Sequence, residues 1–165
     1  MAKIHESVYI ADGVVIKGGN KITIGEDSSL WYNTVVRAEY DTITIGKRTN
    51  IQDGSMVHVD YNYPVVIGDD CTIGHNAIIH GCTIGNNCII GMGAIIMDGA
   101  VVGDNCVIGA GSLISEHKEI PAGSIAFGNP AKVRKGMTAE NIASNKDSAI
   151  HYVEVAKAHR NGKYD

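Results

Sequence analysis

The chain has 165 residues, 44% hydrophobic and 19% charged, which is room for one soluble globular domain and a tail. A formal net charge of −4 leaves no basic surplus to hold a nucleic acid. No apolar run is long enough to cross a membrane and no signal peptide is read at the start, so a cytoplasmic location is expected.

Taken in chain order, aliphatic residues recur every six positions in groups of three: Ile4, Ile10, Ile16; Ile24, Leu30, Val36; Ile45, Ile51, Val57. The pattern continues through Ile67, Ile73, Ile79; Ile84, Ile90, Ile96; and Val102, Ile108, Ile114. Between groups the step changes to 8, 9, 10, 5 and 6 residues, as residues are added or lost at one corner. Each group reads as one turn of a three-sided solenoid, giving six turns, and Ile120 stands where a seventh would start. A hexapeptide period of this length predicts a parallel β-helix. Small residues four places after the aliphatics, such as Ser28, Thr49, Cys71, Ala77 and Cys106, suit a narrow interior filled by large and small side chains in alternation. Glycines directly after the aliphatics, as in Ile24-Gly25 and Ile73-Gly74, are expected at corners that need unusual φ. Cys71, Cys88 and Cys106 share one inward slot and are expected to stack as reduced apolar fillers, while Cys82 is assigned no role.

The lattice places the histidines. His58 and His80 follow the third aliphatic of successive turns and should point outward one above the other, with Arg37 one turn below. His75 comes two residues after the second aliphatic of its turn, around a corner from His80, and Asp53 holds the same slot one turn earlier. Stacked histidines can share a metal, because nitrogens about 2.0–2.1 Å from zinc stand some 3.3 Å apart. His75 should not reach that ion within one chain, but a neighbour related by rotation about an axis parallel to the solenoid could supply it. Cyclic symmetry around a triangular prism points to a homotrimer with three such sites. The same register sets Asp53 of one chain opposite Arg37 of the next, as an interfacial ion pair. His5, His117, His151 and His159 have no such partners and are expected to be bystanders.

Past Ile120 the repeat gives way to Pro121-Ala122-Gly123 and Gly128-Asn129-Pro130-Ala131, a turn-rich exit. The chain divides into residues 1–130, the repeat domain, and residues 131–165, the exit turn and a helix. That helix is predicted from about Thr138, a good N-cap, to His159, with an apolar stripe of Ile142, Ala149, Ile150, Val153 and Ala156. It would cap the solenoid end, lie along its side, or reach a neighbouring subunit.

Val35-Val36-Arg37, Asn50-Ile51-Gln52-Asp53-Gly54, Val57-His58 and the run from Gly74-His75 through Ile79-His80-Gly81-Cys82 resemble the γ-class carbonic anhydrases and their bacterial relatives. The resemblance runs from about Ile10 to Arg134. It implies an all-β, left-handed parallel β-helix with a C-terminal helix, a homotrimer, and metal held between subunits by His58 and His80 of one chain and His75 of another. The implied chemistry is reversible hydration of carbon dioxide to bicarbonate, using zinc, or iron or cobalt, to make hydroxide available at neutral pH. By the same resemblance Gln52 orients the reacting solvent, Arg37 and Asp53 hold the interface, and Tyr152 matches a tyrosine of the C-terminal helix that lines the site.

Two departures stand out. Arg37-Ala38-Glu39 replaces the family's Arg-Gly-Asp, and Tyr40 stands where well-known members carry an acidic proton shuttle. The loop that bears a second shuttle acid shrinks to about Asp60-Tyr61-Asn62-Tyr63-Pro64, leaving Glu39 or Asp60 as the proton acceptors at hand. The sequence thus also admits a metal-binding trimer without hydratase activity, serving assembly or thioester hydrolysis. A hexapeptide acyltransferase using coenzyme A is a further alternative.

Overall fold

The computed structural model describes residues 1–164 and is a three-sided coil of short strands followed by one helix. Three sheets run the length of the coil, with seven, eight and six strands, and every pairing between turns is parallel. The aliphatic lattice is the register: Ile24, Ile45, Ile67, Ile84, Val102 and Ile120 lie side by side in the first sheet. Leu30, Ile51, Ile73, Ile90 and Ile108 do so in the second, and Val36, Val57, Ile79, Ile96 and Ile114 in the third. All of these side chains are buried and form one continuous core. The parallel turns stay in contact because each strand's two neighbours satisfy its backbone groups. A seventh turn does begin at Glu119–Ile120.

Three local expectations need correcting. Ile4, Ile10 and Ile16 pair in register with the next turn, yet Ile10 is 43% exposed, because no turn lies beneath it to complete the core. The glycines after the aliphatics do not serve positive φ. A Cβ on Gly25 would stand 2.7 Å from the Gly46 backbone, and one on Gly46 would stand 2.6 Å from that of Gly68, so these glycines let successive corners approach. The left-handed conformation falls instead mainly on the other corner residues, among them Asp27, Arg48, Asp70, Asn76, Asn87 and Asn105. The inward cysteines are more than apolar filler. In the column Ser28, Thr49, Cys71, Cys88, Cys106, each side chain donates to a carbonyl of the next turn, with Ser28 Oγ to Gly46 O at 2.7 Å and Cys71 Sγ to Gly85 O at 3.0 Å.

The exit is an antiparallel pair, Ser124–Gly128 with Ala131–Gly136, joined through a cis Asn129–Pro130 bond, so the second sheet continues past residue 130. The helix spans Ala139–Arg160, with Thr138 accepting from the Asn141 amide and Asn141 returning the bond, a reciprocal cap. It lies along the outer face of the second sheet and runs back toward the first turns. Ala149, Val153 and Ala156 pack inward as expected, but Ile150 is exposed and the fourth buried residue is Asn145. Its Nδ2 donates to Asn87 O at 3.0 Å and Cys106 O at 3.2 Å, which feeds carbonyls that a leucine would strand. Asp70 ties the helix down, accepting two bonds from Arg48 and one from Lys146 at 2.5 Å. Among the described residues no helix is long and apolar enough to cross a membrane.

Candidate metal centre

The third sheet builds the outward column. Parallel pairing sets Lys17 against Arg37, Arg37 against His58, and His58 against His80, each the residue after an inward aliphatic, buried in all but the first turn. His58 Nδ1 and His80 Nε2 are 3.0 Å apart, with the two rings inclined at 60°. Both nitrogens therefore stand at close to the separation that two ligands of one tetrahedral ion require. On the far side, His80 Nδ1 donates to Asp98 Oδ1 at 2.5 Å. An ionised carboxylate can only accept, so in the neutral imidazole this bond places the lone pair on His80 Nε2. Donor chemistry and spacing both fit a divalent cation between the rings.

Below, Glu39 Oε2 lies 3.1 Å from His58 Nε2, and its other oxygen is held by Arg37 Nη1. Desolvation pushes the Glu39 carboxyl up, but hydrogen bonds from Arg37, its own backbone and His58 outweigh it and hold it below the usual range. Tyr40 leans toward this group, its ring 6.5 Å from that of His58, and stacks on Tyr61 at 4.2 Å. The short loop is a tight turn closed by Asp60 and Tyr63, with the Asp60 carboxylate capping its own turn through the Tyr61 amide at 2.7 Å.

His75 and Asp53 occupy equivalent corners of successive turns, and the Asn76 amide donates to Asp53 O at 2.9 Å. The Asp53 carboxylate accepts from His75 Nδ1 at 2.9 Å, which in the neutral ring leaves the lone pair on Nε2. In the single chain Arg37 is thus paired with Glu39 and Asp53 with His75. Gln52 is only 5% exposed and donates from Nε2 to Asn50 Oδ1 at 3.2 Å. Tyr152 sits on that helix with its ring against Trp31 at 5.6 Å, and burial followed by the Asp53 charge raises its phenol pKa. Among the described residues no three histidine, cysteine or acidic side chains of one chain gather closely enough to hold a metal. The lattice thus brings His58 and His80 together and keeps His75 apart.

Sequence reasoning missed Asp98. Asp98 follows the last aliphatic strand of its turn by two residues, at a corner where loop lengths vary, so periodicity gave it no address. His159 packs among Tyr9, Trp31 and Tyr32, with its Nδ1 3.3 Å from the Tyr32 hydroxyl.

Comparison with known proteins bears on this arrangement. Residues 64–96 and 81–116 match the bacterial transferase hexapeptide (six repeats) family. A Methanocaldococcus jannaschii protein named "Probable carbonic anhydrase" is 49% identical over 154 residues, covering 93% of this chain and 96% of its own. The mitochondrial γ carbonic anhydrase 1 of Arabidopsis thaliana is 39% identical across 94% of this chain, which spans 58% of that protein's length. A crystallised Bacillus cereus protein, provisionally named an acetyltransferase, superposes with a TM-score of 0.94 at 43% identity, covering 97% of this chain and 92% of its own. With this identity over nearly its whole length and the hexapeptide coil beneath it, the chain is a parallel β-helix that belongs to the γ-class carbonic anhydrase-like family.

Proposed function

We propose that the protein is a homotrimeric, metal-dependent carbon dioxide hydratase, its metal held by His58 and His80 of one protomer and His75 of the next. The observation that carries this is the pair of ring nitrogens 3.0 Å apart, with a third carboxylate-oriented histidine one corner away. Zinc suits three imidazoles, and iron or cobalt would be accepted by the same set. Such an ion, held by these three imidazoles, would supply hydroxide at neutral pH for attack on carbon dioxide. The chain's residues do the rest. Gln52, held on one side by Asn50, orients the reacting solvent. Tyr152 keeps its phenol proton at neutral pH and so can donate a hydrogen bond to an oxygen of the substrate. Glu39, ionised and bonded to His58 at the solvent edge, takes up the proton that hydration releases. Arg37 of one protomer and Asp53 of another hold the interface.

The test is stopped-flow carbon dioxide hydration on protein of measured metal content, loaded anaerobically with iron and separately with zinc. Hydration that tracks occupancy and vanishes in His80→Ala supports the reading; full occupancy with no rate above buffer refutes it. The transferase names among the relatives favour a second reading, acyl transfer from coenzyme A. Acyl transfer that survives metal stripping would decide for it.

A further inference from the structure

We propose that Asp98 is a positioning residue for this centre, fixing His80 in the tautomer that carries its proton on Nδ1 and aims a bare Nε2 at His58. The inference rests on reading His80 as a ligand only for its metal consequence; the tautomer itself is a property of the chain alone.

The geometry is specific. Asp98 Oδ1 stands 2.5 Å from His80 Nδ1, and its side chain is mostly covered. Among the described residues no lysine or arginine pairs with it, so its charge is directed at the imidazole. Three neighbours hold it there. The His117 amide donates to Asp98 O at 3.0 Å and pins the backbone of the corner. Tyr63 packs its ring on His117 at 5.7 Å and borders the same corner. Gly81, with φ of 54°, leaves open the space the carboxylate fills, for a Cβ there would collide with Asp98 Oδ1 and approach Tyr63 Cβ to 2.8 Å. The chain thus builds a slot with a glycine wall, and the object in the slot is the carboxylate that touches the ring.

The physical consequence follows from the donor inventory. A neutral imidazole has one N–H and one lone pair. Without Asp98, the His80 ring is free to put its proton on Nε2, where it would block a metal, and to rotate about χ2. With it, the lone pair is fixed on the nitrogen 3.0 Å from His58. Carboxylates in this relation to a ligating histidine orient the ring and raise its basicity, and their loss typically weakens metal binding by about 10–100-fold.

The experiment has two arms on the full-length protein, comparing wild type with Asp98→Ala and Asp98→Asn. In the first, nitrogen NMR of the metal-free protein at mildly alkaline pH reports which ring nitrogen of His80 carries the proton. Wild type should show it on Nδ1, and Asp98→Ala should move it largely to Nε2. Asp98→Asn, whose amide oxygen still accepts, should largely preserve the wild-type tautomer. In the second, competition with a chelator measures zinc affinity, expected to fall about 10–100-fold in Asp98→Ala and less in Asp98→Asn. Circular dichroism melts confirm that both variants are folded. An unchanged His80 tautomer in Asp98→Ala would overturn the proposal, as would zinc affinity within twofold of a wild type that binds zinc. If wild type binds no zinc, the metal reading falls on its own, and the tautomer arm alone decides for or against Asp98.

Discussion

His75 shows most directly what a single side chain is asked to do. Its ring stands at a half-exposed corner and touches the rest of its chain chiefly through Asp53, so removing it should cost the solenoid little. His75→Ala is expected to change stability by no more than about 0.5 kcal/mol, as at other exposed positions, while bound metal falls to background. Retained stoichiometric metal, measured by elemental analysis against an unchanged melt, would remove His75 from the ligand set. Cys82 makes a different residue-scale prediction. Burial pushes its thiol up from 9.0 to about 12. The unfolded chain therefore loses this proton first, and above pH 9 it binds fewer protons than the native state. The stability tied to the neutral thiol is complete below pH 9 and is lost between pH 9 and 12, at up to about 1.4 kcal/mol per pH unit. Chemical denaturation across that range should show a shallower decline in Cys82→Ala than in wild type; parallel curves would refute the assignment. The column of His58 and His80 was legible because period fixes direction, and direction plus turn spacing fixes distance. Asp98 was not, because its position depends on a corner whose length the repeat does not set.

The C-terminal helix carries the same lesson at the scale of an element. Its boundaries followed from local chemistry, since Thr138 and Asn141 cap the first turn through bonds that are nearest neighbours in sequence. Its buried face did not. Apolarity favours Ile150 over Asn145, yet the sheet beneath presents the carbonyls of Asn87 and Cys106, and a side-chain amide satisfies both. Asn145→Leu should destabilise the protein by about 1–3 kcal/mol, the cost of stranding buried acceptors, although it adds apolar surface to a helix. Hydrogen exchange should rise across the Ala139–Arg160 backbone and remain slow in the coil. A variant as stable as wild type would mean that the carbonyls find water instead. Asp70 acts with Asn145, since its three bonds from Arg48 and Lys146 join the helix to the coil at its first turns.

For the molecule as a whole, the three outer faces differ, and the difference argues for a partner copy. The second sheet is covered by the helix. The first displays a mixed column of Thr23, Thr44, Val66, Thr83 and Val101. The third carries an apolar ladder beside the histidines: Val15, Val35, Met56, Ile78, Ile95 and Leu113 stand in register along six turns. Of these, Val15, Ile78 and Ile95 are exposed in the single chain, and a contiguous stripe of that kind marks a surface that another protein covers. In the proposed trimer, rotation about an axis parallel to the coil would lay this ladder against the corner bearing His75 and Asp53 of the next protomer. In that arrangement Arg37 would meet a second carboxylate beyond Glu39, and Asp53, which already accepts from His75, would accept from Arg37 as well. Asp53→Ala should remove that shared acceptor three times per trimer, at about 2–5 kcal/mol for each desolvated pair. Ile78→Glu should disperse the assembly by placing a charge in the ladder, whereas Val66→Glu on the first sheet should leave it intact. Sedimentation velocity over a hundredfold dilution separates these cases. A trimer that persists in Asp53→Ala and Ile78→Glu alike would refute the register.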